Sequence, residues 1–499
     1  MRKILKGFIS VVIFSFIFTY GFSSRVQAQS QSKEEQILET MHSISSHTLF
    51  GYVKELASEK YKGRLTGTEG FNMAAEWVIS NFKKWGLQPA GNKGSYLQAF
   101  KNPYTLILDG DEAYLHIPVK RGDEILKHYI LEKDFIPGST SDTGEVTAEV
   151  VYVGYGITAP ELGYDDYKGV NVKGKIVMME REVPVSTKNE EEFKKWRPYS
   201  FHQYKVKNAK AHGAAGMLYI YHITNPNCVF IKDFILTYIN KSIVEDLLKG
   251  LKYKHKEVVE RIKKRKKPFS FSTGKIMTIK NRTEHHPEGI AYNVLGMIEG
   301  TDPVLKNEVI VVSAHLDHVG MDPYLVPGAN DNASGDAVVL GVAEALSKSP
   351  IKPKRTVVFA LFGAEEQGVK GSEYFIKNPP DALKGKKIVA CFNSDGVGRG
   401  NKIFAIAGKN YPELFKKFKK ANDKYVHRVI KANFFNNIAR PRLDAAHFMW
   451  AGIPTLSFST YGIPLGFDNY HKSTDRPEYI TPEIMEDLAQ ILYLTLLEM

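Results

Sequence analysis

Six polar residues end or follow apolar segments in the second half of the chain, and their types are those of metal ligands and a general base. They are His315 in VVSAH, Asp331 in PGANDNASG, Glu365 and Glu366 in FALFGAEE, Asp395 in CFNSD and His471 in FDNYH. Two imidazoles with several carboxylates and no thiolate suit zinc, cobalt or manganese. Carboxylates sharing one cleft repel each other unless cations compensate them. The set predicts a site where two metal ions activate water.

The adjacent residues Glu365 and Glu366 can have two different roles in such a site. Consecutive residues that leave a strand point their side chains in different directions. One glutamate can therefore bind a metal while its neighbour faces the water and accepts its proton.

Apolar segments must bring these residues to one edge of a sheet. The segments VIVVSAH, TVVFALFG, KIVACFNSD and IPTLSFS alternate with helical patterns such as GDAVVLGVAEALSK. This alternation predicts an α/β domain with a largely parallel sheet, in which the loops after the strands form the crevice. Residues 104–285 contain shorter strand candidates rich in Thr, Val, Tyr and Gly, which predict a separate β-rich unit.

Five motifs, in this order, resemble those of the di-zinc aminopeptidases of metallopeptidase clan MH: AHLDHVG (314–320), PGANDNASG (327–335), FGAEEQGVKGS (362–372), NSDGVG (393–398) and YHKSTD (470–475). The segments YVGYGITAPELGYDDYKGVNVKGKIVMMERE and KVKNAKAHGAAGMLYIY resemble a protease-associated domain. The resemblance implies a mostly parallel central sheet flanked by helices, as in the phosphorylase/hydrolase-like zinc exopeptidases, with this β-rich domain inserted. The catalytic domain is expected to comprise residues 33–103 and 286–499, and the insert residues 104–285.

The resemblance also implies a role for each site residue. The metal ligands would be His315 and Asp395 for one ion, Glu366 and His471 for the other, and Asp331 as the bridge. Glu365 would be the general base, and Asp317 would hold the imidazole of His315 in the ligating tautomer. The Asp331–Asn332 peptide bond is expected to be cis. His318 is expected to line the pocket, with metal binding as the alternative.

The implied function is that of an exported metallo-aminopeptidase, with peptides as substrates and two divalent metal ions, expected to be Zn²⁺, as cofactors. A carboxypeptidase of the glutamate carboxypeptidase type stays open, since Arg440 and Arg442 lie in IARPRLD. A glutaminyl cyclase is disfavoured because ligands for two metals are present. An inactive, receptor-like homologue is disfavoured because both the ligands and the base are retained.

Two segments bear on substrate choice. NSDGVG departs from the N-L-D-M-I-G that is usual in the family, so the pocket wall beside Asp395 is expected to differ. Pocket side chains such as those around YGIPLGF are expected to set the preferred terminal residue. The insert is expected to be a structural lid, with a share in substrate selection as the alternative hypothesis. The preferred terminal residue and the oligomeric state are not predicted.

Residues 1–28 have the pattern of a signal peptide: basic residues at the start, an apolar run from Phe8 to Phe22, and Val26-Gln27-Ala28 at the cleavage position. The run is shorter than the roughly 20 residues that span a bilayer, so an uncleaved anchor is the less favoured alternative. The mature protein is expected to be periplasmic or secreted, without stable membrane insertion. Only Cys228 and Cys391 are present, and Cys391 is expected to be a buried thiol.

The formal charge of +12 comes largely from one segment. Residues 249–267 contain ten Lys or Arg and two Glu. Such a run is typical of a solvated helix face or loop, with docking to an acidic surface as the alternative. No recognition motif with interleaved aromatic residues accompanies it, so no nucleic-acid partner is expected.

Overall fold

The computed structural model describes residues 31–226, 229–436, 442–460 and 468–499. The expected signal peptide, Cys228, Arg440 and the segment YGIPLGF (461–467) lie outside the described residues. The α-helices of the described residues are α1 (Lys33–His42), α2 (Ser46–Leu56), α3 (Glu69–Lys84), α4 (Glu190–Trp196), α5 (His202–Ala211), α6 (Lys241–Leu248), α7 (His255–Arg265), α8 (Ser334–Lys348), α9 (Lys370–Lys377), α10 (Pro412–Ala421), α11 (Ala445–Trp450) and α12 (Pro482–Glu498).

The β-strands of the described residues are β1 (Gln88–Pro89), β2 (Leu97–Lys101), β3 (Tyr104–Ile107), β4 (Glu112–Pro118), β5 (Glu124–His128), β6 (Phe135–Pro137), β7 (Gly144–Tyr152), β8 (Thr158–Ala159), β9 (Tyr164–Asp165), β10 (Ile176–Glu180), β11 (Gly216–Ile220), β12 (Ile235–Ile239), β13 (Phe271–Asn281), β14 (Thr283–His286), β15 (Ile290–Ile298), β16 (Glu308–His315), β17 (Gly320–Asp322), β18 (Tyr324–Val326), β19 (Thr356–Phe362), β20 (Lys387–Ser394), β21 (Ile403–Ile406), β22 (Ile430–Ala432) and β23 (Thr455–Ser459).

The larger sheet has nine strands in the order β1-β15-β19-β16-β20-β23-β21-β22, and β2 also pairs with β15. Its four central strands, β19, β16, β20 and β23, are parallel. Towards the edges, β15 is antiparallel to β19, and β21 is antiparallel to β23. The predicted α/β class is confirmed, and the sheet is mixed, with its longest parallel run in the centre.

Continuous apolar sequences explain why the central strands are buried on both faces. Strand β19, with the sequence TVVFALF, is buried at all seven positions. Helices α2, α8 and α12 pack together, and α8 is buried at twelve of its fifteen residues. In another cluster, the rings of Phe375 in α9 and Phe448 in α11 lie 5.6 and 6.1 Å from that of Phe362 in β19. The central strands therefore form the rigid support of the site.

The second sheet has eight strands in the order β5-β4-β13-β7-β10-β11-β12-β6, all within residues 112–281. Two separate apolar clusters pack on it, so this segment has cores of its own. Helix α7 buries Val258 and Ile262, while all ten Lys and Arg residues of 249–267 are exposed. The basic run therefore forms a solvated surface, as expected. No helix of the described segments is long and apolar enough to cross a bilayer.

The strand register places the ends of the central strands at one level. His315, the last residue of β16, pairs with Phe362, the last residue of β19. Ser313 of β16 pairs with Asn393 of β20, one residue before that strand ends. Because parallel strands end at the same edge, the segments that follow them meet above the sheet.

Arg64, in the connection GRLTGTEG, joins the segments at this edge. Its side chain is fully buried, and its guanidinium donates hydrogen bonds to four backbone carbonyls. The acceptors are the carbonyls of Leu56 at 2.5 Å, Leu316 at 2.8 Å, Pro327 at 2.9 Å and Gly328 at 3.0 Å. Leu316 follows β16, and Pro327 and Gly328 lead into the turn that contains Asp331. Arg64 therefore ties α2 to the loops that carry His315 and Asp331.

Substitution of Arg64 by Met is expected to lower the free energy of unfolding by at least about 3 kcal/mol, because four buried carbonyl oxygens lose their donor. The control is Lys62→Ala in the same connection, where Lys62 forms an exposed ion pair with Glu69 at 2.9 Å. It is expected to cost less than about 1 kcal/mol. Urea unfolding followed by tryptophan fluorescence measures both, and similar losses for the two variants would contradict this role of Arg64.

Candidate active site

A pocket of about 980 Å³ lies at the carboxyl edge of the central strands. Insert residues such as Arg181, Phe201 and Tyr221 also line it, so the insert forms part of the pocket wall. All six candidate ligand and base residues line this pocket: His315, Asp331, Glu365, Glu366, Asp395 and His471.

Asp331 lies between the two predicted metal positions. Its Oδ1 atom is 3.3 Å from His315 Nε2, and its Oδ2 atom is 3.3 Å from His471 Nε2. His315, Asp331 and Asp395 form one group whose potential ligand atoms lie within 4.8 Å of one another. Asp331 also belongs to a second group of this kind, together with Glu366, His471 and His318. The structure thus brings each predicted ligand pair together, with one carboxylate between them.

The tautomers of both histidines fit metal binding. His471 Nδ1 donates to the backbone carbonyl of Thr224 at 2.6 Å, and His315 Nδ1 donates to that of Asp317 at 3.1 Å. A neutral imidazole with its hydrogen on Nδ1 has a lone pair on Nε2. His471 Nε2 is buried without a hydrogen bond, 2.9 Å from Glu366 Oε2. A bare lone pair and a carboxylate at this distance repel each other, so a proton or a metal cation is required between them.

The charges in the pocket also favour a bound cation. Burial lowers the pKa of His471, but the carboxylates of Glu366 and Asp331 outweigh it and bring that pKa well above its usual value. Burial likewise lowers the pKa of His315, and Glu365, Asp331 and other carboxylates raise it well above the usual value. The site therefore demands positive charge, and divalent cations would supply it while leaving the imidazoles free as ligands.

Glu365 and Glu366 lie in a turn that follows β19 and is held by Asp317. The Asp317 carboxylate accepts the Glu365 N–H on Oδ1 at 3.1 Å and the Glu366 N–H on Oδ2 at 3.2 Å. Burial raises the pKa of Glu365 well above its usual value; His315 opposes this shift, and Glu366 adds to it. A raised pKa suits a group that accepts and returns a proton near neutral pH.

Asp317 was expected to hold the imidazole of His315 in the ligating tautomer. Its carboxylate accepts no hydrogen bond from the ring, because the Oδ1 atom is 3.8 Å from His315 Nδ1. The backbone carbonyl of Asp317 accepts that hydrogen bond instead. The reason is that both carboxylate oxygens bind the N–H groups of the Glu365 and Glu366 turn.

The turn that carries Asp331 interlocks with its neighbours. The Asp331–Asn332 peptide bond is cis, as predicted. The Asp475 carboxylate accepts the N–H groups of Asn330 and Asp331 at 3.0 to 3.1 Å. Asn332 Oδ1 accepts the N–H of Gly396, in the NSDGVG segment, at 3.2 Å. These contacts position Asp331 between β20 and the YHKSTD segment.

His318 has a closer relation to the site than a wall residue would. It is fully buried, and its Nδ1 atom donates to Glu366 Oε1 at 2.8 Å. Its Nε2 atom is buried without a hydrogen-bond partner. His318 thus restrains one oxygen of Glu366, while the other oxygen faces His471.

Three buried residues near the site were not singled out from the sequence. Asp475 holds the Asp331 turn, and its only signal was its place in the YHKSTD motif. Asp444 is buried beside the pocket, and burial raises its pKa to about 7. Thr224, which holds His471, belongs to the insert and has no motif that links it to the site. Arg442, considered for a carboxylate pocket, forms an ion pair with Glu182 of the insert at 3.4 Å.

Removal of divalent cations with a chelator is expected to lower the thermal unfolding midpoint, because the buried carboxylates then repel each other. For an ion present at 1,000 times its Kd, the lost stabilisation is about 4 kcal/mol. Addition of Zn²⁺ is expected to restore the midpoint, whereas Asp331→Ala, which lacks the shared carboxylate, should respond much less. Calorimetry measures the shift, and an unchanged midpoint of the chelated wild-type protein would refute cation binding at this site.

Two domain families match the chain. The model of Peptidase family M28 matches residues 293–496, and that of the PA domain matches residues 146–235. Among curated relatives, leupeptin-inactivating enzyme 1 of Streptomyces exfoliatus is 33% identical over 172 residues, which are 33% of this chain and 34% of that protein. An aminopeptidase of Pseudomonas aeruginosa is 29% identical over 353 residues, 70% of this chain and 56% of that protein. The matches therefore span about a third to about half of these relatives.

Solved structures show the same fold. The aminopeptidase from Aneurinibacillus sp. strain AM-1 matches with a TM-score of 0.64 and 20% identity, covering 93% of this chain and 95% of that one. BSAP, a zinc aminopeptidase from Bacillus subtilis, matches with a TM-score of 0.58 and 20% identity, covering 91% and 95%. The motifs, the fold and the family matches agree: the chain contains a Peptidase family M28 domain, matched over residues 293–496, and an inserted PA domain, matched over residues 146–235.

Proposed function

We propose that this protein is an exported two-metal aminopeptidase that removes amino-terminal residues from peptides. One observation carries the proposal: the shared carboxylate of Asp331 faces an imidazole on each side, within a pocket that also contains the glutamate pair. Two divalent cations bound there, Zn²⁺ by analogy with the zinc aminopeptidase BSAP, would polarise the scissile carbonyl and lower the pKa of the attacking water.

The residues of the site then have separate roles in the proposed reaction. Glu365 takes the proton of the attacking water and returns it to the nitrogen of the leaving group. Asp317 keeps Glu365 and Glu366 in place through their N–H groups. His318 restrains the oxygen of Glu366 that faces away from His471. These contacts support a site in which the metal ligands are held in place and Glu365 alone transfers the proton.

The charge distribution supports attack at the amino end of a peptide. The carboxylates of Asp331 and Glu366 in the pocket attract an amino group and repel a terminal carboxylate. Arginines occur elsewhere in the lining, where they can contact the remainder of the peptide.

A carboxypeptidase is the second candidate, because of those arginines. Arg181 and Arg197 of the insert and Arg442 of the M28 domain line the pocket, and a group of guanidinium groups suits a terminal or acidic carboxylate. The ion pair with Glu182 engages Arg442, which weakens this reading.

The decisive experiment compares an unblocked peptide with the same peptide acetylated at its amino terminus. The mature protein loaded with Zn²⁺ is expected to remove the first residue of the unblocked peptide only, as detected by mass spectrometry. Chelation should abolish the reaction. Glu365→Gln should lower kcat at least about 100-fold while metal content stays the same, since only the proton acceptor is lost.

The matched control is Glu257→Gln on the exposed face of α7, which should retain wild-type activity. Release of the last residue from both peptides would replace the proposal with the carboxypeptidase. An inert, fully metal-loaded wild-type protein would refute peptidase activity altogether.

Export is a proposal that rests on residues 1–28. Signal cleavage after Ala28 is expected to give a mature chain that begins at Gln29. Expression of the full chain, followed by amino-terminal sequencing of the protein outside the cytoplasm, measures this. Retention of Met1 in the exported protein, or failure of export, would refute it.

A further inference from the structure

The insert contacts the site directly through His471. Thr224 lies between β11 and β12 of the insert and is 3% exposed. Its backbone carbonyl accepts the hydrogen of His471 Nδ1 at 2.6 Å. The imidazole of a predicted ligand of the catalytic domain is thus oriented by the backbone of another domain.

The insert also holds the segment that follows His471. Glu132 lies between β5 and β6 of the insert, and its Oε1 atom accepts the N–H of Ser473 at 3.0 Å and also the Ser473 hydroxyl. Ser473 is two residues beyond His471. The two contacts therefore fix both the ring of His471 and the backbone that follows it.

The backbone of His471 needs such support. Its φ angle is +53°, in the left-handed region, which non-glycine residues rarely adopt. A residue in this conformation is strained and persists where its surroundings hold it. The hydrogen bonds that Ser473 donates to Glu132 and that His471 donates to the Thr224 carbonyl are contacts of this kind.

The far end of the segment connects to the shared carboxylate. Asp475 accepts the N–H of Asp331 at 3.0 Å, and its backbone carbonyl accepts the N–H of Ala329 at 3.1 Å. Residues 471–475 therefore form a strap, with the insert at one end and the Asp331 turn at the other.

We infer that the PA-domain insert is a positioning element of the metal site. Thr224 fixes the tautomer and direction of His471, and Glu132 holds the strap that carries it. Binding of the ion at His471 and Glu366 thus depends on the docked insert, whereas the ion at His315 and Asp395 is held within the catalytic domain. This inference rests on the proposed two-metal site and extends it to the insert.

The physical argument concerns the partners of a ligating histidine. A carbonyl that binds Nδ1–H leaves Nε2 free for the metal and prevents rotation of the ring. Removal of such an outer contact typically weakens metal affinity by 10- to 100-fold. Because Thr224 acts through its backbone, Glu132 is the positioning residue that substitution can test.

The test measures metal binding, not activity. Wild type, Glu132→Ala, Glu132→Gln and Glu190→Ala are prepared as full mature chains, freed of metal and titrated with Co²⁺, with absorption spectra and calorimetry as readouts. Glu190 is the matched control, since it also joins the insert to the catalytic domain, through Asn436 at 3.3 Å, but does not contact the strap.

Glu132→Ala is expected to weaken one of the two Co²⁺ equivalents by about 10- to 100-fold and leave the other unchanged. Glu132→Gln retains an oxygen that can accept from Ser473 and should bind like wild type, as should Glu190→Ala. Thermal midpoints of the metal-free proteins identify any general loss of stability.

If Glu132→Ala binds two Co²⁺ equivalents with wild-type affinity, this inference is overturned but the proposed two-metal site is not. Equal weakening of both equivalents, or weakening by Glu190→Ala as well, would also overturn the inference, because the effect would then be general. Fewer than two equivalents bound by the wild-type protein would overturn the proposed two-metal site and the inference with it.

Discussion

The structure depends on a concentration of carboxylates at the carboxyl edge of a buried sheet. Asp331, Glu365, Glu366 and Asp395 share one pocket. Burial of several negative charges costs several kcal/mol per group unless positive charge or hydrogen-bond donors compensate it. The inner carboxylates face the imidazoles and the predicted metal positions, and the outer ones bind backbone N–H groups. These two ways of compensating buried negative charge explain most of the polar contacts around the site.

The outer contacts also set the geometry of the loops. Asp317 and Asp475 each bind N–H groups of a turn that carries predicted site residues, so two negative charges become rigid supports. Arg64 is a support of the opposite charge. Its guanidinium donates hydrogen bonds to carbonyls in the loops that carry His315 and Asp331. The turns that carry Asp331 and the Glu365–Glu366 pair are thus each held by a buried carboxyl group that binds backbone N–H groups.

The insert has a larger part in this arrangement than a lid would have. It supplies part of the pocket wall, including Tyr221, and it contacts the segment of His471 through Thr224 and Glu132. Displacement of the insert would therefore change the pocket and the surroundings of His471 together.

The amino-acid sequence by itself determined the parallel centre of the sheet and the order of the site residues along the chain, because each depends on a local pattern of an apolar strand followed by a polar residue. The cis bond was implied by the resemblance of the PGANDNASG motif to that of a known family. Only the tertiary structure decided which groups support the ligands. Thr224 is 247 residues from His471, and Asp475 is 144 residues from Asp331. Such pairs leave no periodicity in the sequence, since their contact energy arises only when distant segments pack together.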